Sequence, residues 1–392
     1  MIISEEAALV AWSGMAAPAD EAAGGLVSSI GAGEALEWVR WGARSLPAAA
    51  ASLHGRCTRE VAEAAVLAHE RWERRLAVAD EPHWRRATAV GARVVTRGAP
   101  GWPSALGSLG ASEPFALYVR GPADLDAAWS QGVAIVGARS STAYGSHMAA
   151  ELASGIAATG RAVLSGGAYG IDAAAHRSAL AANGLTIAVM AGGVDRLYPA
   201  GNDALLRAAM DDGAVVSEVP PGFAPHRSRF LTRNRLIAAT SATIVVEAAL
   251  RSGALSTARH AAGLLRPIGA VPGPATSPSS AGCHALVRDG VAVLVTRVED
   301  VLELIESATE WAERDVGEVE PLGECGGGRF ALPSFDFPAD RAVYDVTSSR
   351  AITVERVAER AGLAWIDATA AAGRLEMRGL IERSKGGWKR TP

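Results

Sequence analysis

Between Val133 and Val295, short apolar runs rich in valine and isoleucine alternate with alanine-rich stretches of helical length, and this alternation constrains the fold more than any other feature. Runs that are apolar at nearly every position, rather than at every second one, describe strands covered on both faces. Strands separated by helices require crossover connections, and therefore a parallel sheet. The expected strands are Val133–Val136, Ala162–Ser165, Thr186–Met190, Ala214–Ser217, Thr243–Val246, Ile268–Val271 and Ala292–Val295. The expected helices between them are Tyr144–Ala158, Asp172–Ala182, Asn202–Met210, Arg229–Ala239 and Thr257–Leu265. The fold class is α/β.

A chain of 392 residues has length for two or three domains. Residues 1–90 are alanine-rich, helical in pattern and poor in turn signals, and read as a small helical region. The core is expected over 91–306, its first part carrying a strand at Phe115–Val119 closed by Arg120, Gly121 and Pro122. Residues 307–338 are acidic and end in Gly326, Gly327, Gly328 and the prolines Pro333 and Pro338, the composition of a linker. Over 339–392, Val354–Ala361, Gly362 and Ala364–Arg378 make a helix-turn-helix pattern, and Leu380–Glu382 with Trp388–Arg390 make a two-stranded wing.

Several classes are excluded or disfavoured. No apolar run approaches the ~18 residues of a membrane span. Glu5 and Glu6 stand where a signal peptide needs basic residues. Cys57, Cys283 and Cys325 show no paired spacing for zinc or a disulfide framework, which points to a reduced, cytoplasmic setting. The net charge of -4 means that any nucleic-acid site must be a local basic patch. Lys385 and Lys389 are the only lysines, so phosphate recognition would fall to planar guanidinium groups.

Three consecutive strand ends carry small-residue loops. The first is Gly137-Ala138-Arg139-Ser140, where Arg139 stands at the carboxyl edge of the sheet, the edge at which open α/β sheets bind ligands. The second, Ser165-Gly166-Gly167-Ala168-Tyr169-Gly170-Ile171-Asp172, is a turn whose glycines allow close approach of phosphate to backbone amides. It is not a dinucleotide fingerprint, because the G-x-G-x-x-G spacing and the ribose-binding acid are missing. Asp172 is placed to cap the next helix, and His176 one turn on reads as a structural histidine. The third loop runs from Ala191 to Pro199 and includes Arg196.

His226, Arg227, Arg229, Arg233, Asn234 and Arg235 form the best basic patch, uninterrupted by acids. Phe230 within it either stacks a base or packs into the core, the usual place of a lone phenylalanine. Arg251, Ser252 and Gly253 add a further anion-friendly loop. No nucleophile with a base beside it and no P-loop lysine is present, so neither catalysis nor a cofactor or metal is indicated. Glu218 and Glu247 are the carboxylates that could act as a general base.

The ordered set Val136-Gly137-Ala138-Arg139, Ser165 to Asp172 with His176, Tyr198-Pro199 with Asn202, Ser217-Glu218, Arg233-Asn234-Arg235, Ser252-Gly253-Ala254-Leu255 with Thr257, and Val271-Pro272-Gly273 resembles the DprA/Smf family over about residues 100–300. The resemblance implies an extended Rossmann-like core with a helical N-terminal region and a C-terminal winged-helix domain. It also implies a homodimer that binds single-stranded DNA without sequence preference and loads RecA recombinase during natural transformation, without enzymatic activity. The DNA-binding positions it suggests here are Arg139, Ser140, Gly166, Gly167, Gly170, Arg196, Arg227, Arg229, Arg233, Asn234, Arg235, Ser252 and Gly253, with Asp172 and His176 structural. The family carries a cation after its Tyr-Pro step, where this chain has Ala200. The rival is a phosphoribohydrolase of the lysine-decarboxylase-like group, whose PGGxGTxxE signature corresponds to Ser252–His260; histidine then stands at the catalytic glutamate position.

Overall fold

The computed structural model describes residues 3–316, 338–347, 352–384 and 387–391. They fall into two compact units divided at residue 317.

Nine strands form the sheet of the first unit: β1 (Arg93–Thr96), β2 (Ala116–Arg120), β3 (Val133–Val136), β4 (Val163–Ser165), β5 (Thr186–Val189), β6 (Ala214–Ser217), β7 (Ala242–Val245), β8 (Ile268–Ala270) and β9 (Val293–Leu294). Their order is β1-β2-β6-β5-β4-β3-β7-β8-β9. From β6 to β9 all neighbours are parallel, with Val133 of β3 opposite Val163 of β4 and Ala242 of β7. At one edge β2 runs antiparallel to β6, and β1 antiparallel to β2. The chain builds outward from β3 through β4, β5 and β6, then returns to the other side of β3 for β7. This is the Rossmann-like order, and the gap between the carboxyl ends of β3 and β7 is its topological switch point.

Alternation along β3 explains the two helical layers. Val133 and Ile135 pack on one face with residues of the helices Ala143–Ala158 and Ile171–Ala181. Ala134 and Val136 face the other way, toward the helices Arg227–Ala238 and Gly253–Gly263. Each fully buried branched side chain in these layers contributes roughly 1.5–3 kcal/mol of transfer free energy. The helices begin where the sequence supplies a cap: Thr142 accepts a hydrogen bond from Gly145 N at 3.0 Å and Ser252 from Ala254 N at 3.2 Å.

Residues 5–89 form seven helices, three of them capped by Ser4, Asp20 and Thr58. Trp12, Trp38 and Trp72 fill their core, Trp12 and Trp72 meeting edge to face at 5.3 Å. This region does not stand apart from the sheet. Phe115 packs 5.8 Å from Trp12, and the Tyr118 hydroxyl of β2 lies 2.8 Å from Ser13 Oγ, so residues 1–90 and the core belong to one unit.

In the second unit, the helices Pro338–Val346, Val354–Ala361 and Trp365–Met377 precede the antiparallel pair β10 (Ile381–Ser384) and β11 (Gly387–Arg390). Val357, Ala371, Leu375, Ile381 and Trp388 form their common core. Gly362 ends the first helix of the helix-turn-helix pattern at φ 65°, the left-handed position that suits glycine.

Two expectations change. The strand β1 was not legible, and residues 307–316 continue a helix that begins at Val298 rather than opening a linker. Residues 317–337 and Lys385 lie outside the described residues. No helix among those described is long and apolar enough to cross a membrane.

Candidate nucleic-acid interface

A cleft of about 370 Å³ opens at the switch point. Its walls are the loop after β3, the loop after β4, the helix Arg227–Ala238 and the loop after β7. The β3 loop places Arg139 on the rim, exposed, with its guanidinium 5.2 Å from the centre of the Phe230 ring. No carboxylate pairs with Arg139 among the described residues. An arginine held against an aromatic face keeps its donors free for a phosphate while losing little conformational freedom on binding. Ser140 beside it is exposed as well.

The helix start behind this loop is already occupied by an anion of the protein. Glu247, buried after β7, accepts from Thr142 N at 2.9 Å and from Thr142 Oγ1 at 2.6 Å. It therefore satisfies the positive end of the helix Ala143–Ala158 from within.

The glycine loop after β4 is satisfied in the same way. Asp172 does not cap its own helix; its Oδ2 accepts from Gly166 N at 3.1 Å and Ala168 N at 3.3 Å. The amides expected to cradle phosphate thus hold a buried carboxylate. Burial raises the pKa of Asp172, and the positive charge of Arg233 opposes that rise. Arg233 approaches from the helix below and donates to Gly166 O at 3.0 Å and to Val189 O. Burial lowers its pKa to about 10, so it stays charged at neutral pH. Gly166 is required because a Cβ there would meet this guanidinium. Gly170 has φ 76°, and a Cβ would meet the carbonyl of Ala138, so this turn packs directly on the backbone that carries Arg139.

His176 is fully buried and neutral: burial, then the charge of Arg233, lowers its pKa to about 4. Thr186 Oγ1 donates to Val163 O, so the contact of 2.7 Å has His176 Nδ1 donating to Thr186.

The basic patch separates into inward and outward halves. Arg233, Asn234 and Arg235 are buried, a correction to their expected place on the surface. Arg235 makes a two-pronged pair with Glu218 at 2.8 and 2.6 Å and donates to Ser112 O at 2.9 Å, tying the core to the segment before β2. Asn234 donates to Gly253 O at 3.4 Å. The physical reason is that the C-terminal half of this helix, residues 233 to 238, is buried on every side, and each polar head finds an internal partner. Arg229 is half-buried against Phe223 and donates to Ala224 O at 2.6 Å. Arg227 and Arg196 are exposed, Arg196 lying 3.9 Å from Asp195. Gly253 is exposed and Ser252 half-buried as a cap, while Gly166 and Gly167 are buried and Gly170 half-buried.

Glu218 and Glu247, the candidate bases, are both engaged in these internal contacts and buried. No group of His, Cys, Asp and Glu that could hold a metal occurs among the described residues.

Tyr169 and Tyr198 stand in the glycine loop and the Tyr-Pro step, motifs that by themselves assign them no task. Both rings are nearly half exposed beside the cleft, at 48% and 46%. Tyr198 lies 5.8 Å from Phe230, and the Tyr169 hydroxyl accepts from Gly201 N at 3.2 Å. Nothing in the sequence marks them, because exposure of a loop aromatic depends on how neighbouring loops pack.

Comparison with known proteins places these features in context. The model of the DNA recombination-mediator protein A family matches residues 93–306. The chain is 44% identical over 314 residues to the putative DNA processing protein DprA of Mycobacterium tuberculosis, covering 76% of this chain and 77% of that protein. It is 35% identical over 282 residues to the protein Smf of Escherichia coli, with 71% and 72% covered. Among solved structures, the DNA processing protein A of Streptococcus pneumoniae superposes with a TM-score of 0.58 at 29% identity, covering 77% of this chain and 98% of that one.

Proposed function

The chain belongs to the DNA recombination-mediator protein A family, the DprA/Smf proteins, and from that premise we propose that it binds single-stranded DNA without sequence preference, protects it, and delivers it to RecA recombinase. One observation carries this reading: Arg139, unpaired and stacked on Phe230, at the rim of a switch-point cleft whose neighbouring carboxylates are all turned inward. Asp172, Glu218 and Glu247 neutralise protein groups, so Arg139 stands in the cleft as a free cation despite the chain's net charge of -4, with Arg196 and Arg227 as further exposed arginines. A phosphate backbone laid across the cleft meets these guanidinium groups, Ser140 and the Ser252-Gly253 backbone. Arg233, Asn234 and Arg235 act beneath it as supports. Contacts of this kind position a strand without reading its bases.

The protein acts without catalysing a reaction, in the cytoplasm. The candidate bases are held in internal contacts, and the residue at the rival group's catalytic position is His260. Self-association into a homodimer is supported by the edge of the sheet at β9, whose outer side has no strand partner among the described residues and where Val291, just before the strand, and Val293 and Leu294 within it are 41%, 56% and 48% exposed. The second unit is read as a winged helix from its order of helix, turn, helix and hairpin.

A filter-binding titration tests the reading. Oligo-dT is expected to bind more tightly than duplex of the same length, with log affinity falling linearly against log salt. Absent or salt-independent binding refutes it. Release of free base from nucleoside monophosphates incubated with the protein would favour the enzyme instead.

A further inference from the structure

We propose that Tyr169 and Tyr198 form a two-ring platform on which successive bases of the bound strand stack. The proposal rests on the reading of the cleft as a single-strand site and adds a contact that is independent of phosphate. Both rings leave nearly half their surface to water, although each is fixed from behind. Tyr169 is held by its hydroxyl on Gly201 N, and its ring lies against Gly201. Tyr198 packs on Phe230, whose ring in turn carries Arg139. Asn202, three residues after Pro199, donates to Gly167 O at 3.0 Å and Ala168 O at 3.1 Å, clamping the loop that bears Tyr169 to the loop that bears Tyr198.

Two rings fixed beside one cleft offer a flat apolar surface, and the charges around them identify what it takes. Asp203 is paired with Arg207 at 2.7 Å, and Asp195 accepts from Gly222 N at 2.9 Å while facing Arg196. Arg139 lines the cleft, and Arg196, two residues before Tyr198, is exposed. An aromatic surface flanked by guanidinium groups fits a polymer of flat bases joined by phosphates. Stacking tolerates any base, because each has a π-face.

The test compares oligo-dT with a strand of equal length lacking its bases, using the full chain. Tyr169→Ala and Tyr198→Ala are each expected to weaken oligo-dT binding about tenfold. Binding of the abasic strand and the salt slope should stay unchanged, because no phosphate contact is lost. Tyr198→Phe is expected to bind as the parent does. Equal losses on the abasic strand, a changed salt slope, or no loss at all overturns the platform. Failure of the parent protein to bind oligo-dT would instead overturn the single-strand reading itself. Photocrosslinking the unsubstituted protein to 5-iodouracil oligonucleotides decides the matter even where an alanine variant fails to fold: adducts at Tyr169 or Tyr198 support the platform, and adducts confined elsewhere refute it.

Discussion

Replacing Arg233 with methionine separates a supporting role from a DNA-contacting one. The guanidinium is buried, donates to Gly166 O, Val189 O and Asn234 Oδ1, and is the charge that opposes the burial of Asp172. Methionine fills part of the volume but leaves two carbonyls without that donor and a carboxylate without its counter-charge. Leaving two buried carbonyls without a donor and a buried carboxylate without nearby positive charge costs about 3–5 kcal/mol. With a urea m-value of about 3 kcal/mol/M, the midpoint of core unfolding should fall by about 1 to 1.7 M. The loss should depend on pH. The pKa of Asp172 is already raised in the fold, and without Arg233 it rises further, so the stability lost by ionising it grows as pH rises. The difference between parent and variant should therefore be largest near neutrality and shrink as the solution is acidified. Adding Asp172→Asn to the variant should recover part of the loss, a coupling measurable by a double-mutant cycle. Urea titrations followed by tryptophan fluorescence at two pH values would measure all of this. A midpoint shift under about 0.3 M, together with a large loss of DNA affinity, would refute the supporting role and return Arg233 to the DNA interface.

Arg139→Ala combined with Arg227→Ala should weaken binding of all single-stranded sequences alike and reduce the salt slope by about 1 for each phosphate contact removed, as read by filter binding at several salt concentrations. Because the pKa of His176 is lowered to about 4, the unfolded chain takes up its proton first, so stability should fall as pH drops from 6.5 toward 4, by about 3 kcal/mol in the limit. His176→Gln should flatten that part of the profile in thermal melts. Gly170→Ala should cost about 2–4 kcal/mol, because it forces a Cβ into a left-handed position against the carbonyl of Ala138, and calorimetry should show a lowered melting temperature.

The seven parallel strands were legible because their apolar runs are short, unbroken and separated by alanine-rich helices. Each begins or ends within about one residue of its expected place. Strand β1 was not legible, since Arg93–Thr96 is short and its pairing with β2 involves residues twenty or more positions away. The glycine turn was legible as a strand-to-helix loop, but the internal partner of its amides was not. Only the folded loop shows Asp172 returning to bind the amides of Gly166 and Ala168. Similarly, six residues of a basic run gave no sign that Arg233 and Arg235 face inward while Arg227 faces water.

By itself, then, the sequence determined the α/β class, the order of the core elements, the family, and the loops that gather at one edge of the sheet. These follow from local patterns, the periodicity of burial and the punctuation of turns, which need no knowledge of distant partners. The tertiary structure decided which arginines are supports and which are free, which carboxylates are neutralised, and that Tyr169 and Tyr198 stand exposed beside Arg139. Those outcomes depend on the depth of a side chain and on partners 17 to 105 residues away in sequence, as with Arg235 and Glu218 or Thr142 and Glu247. Charge and aromaticity are written in the chain, but whether a group faces solvent or another part of the protein is set only when the loops of separate strands meet.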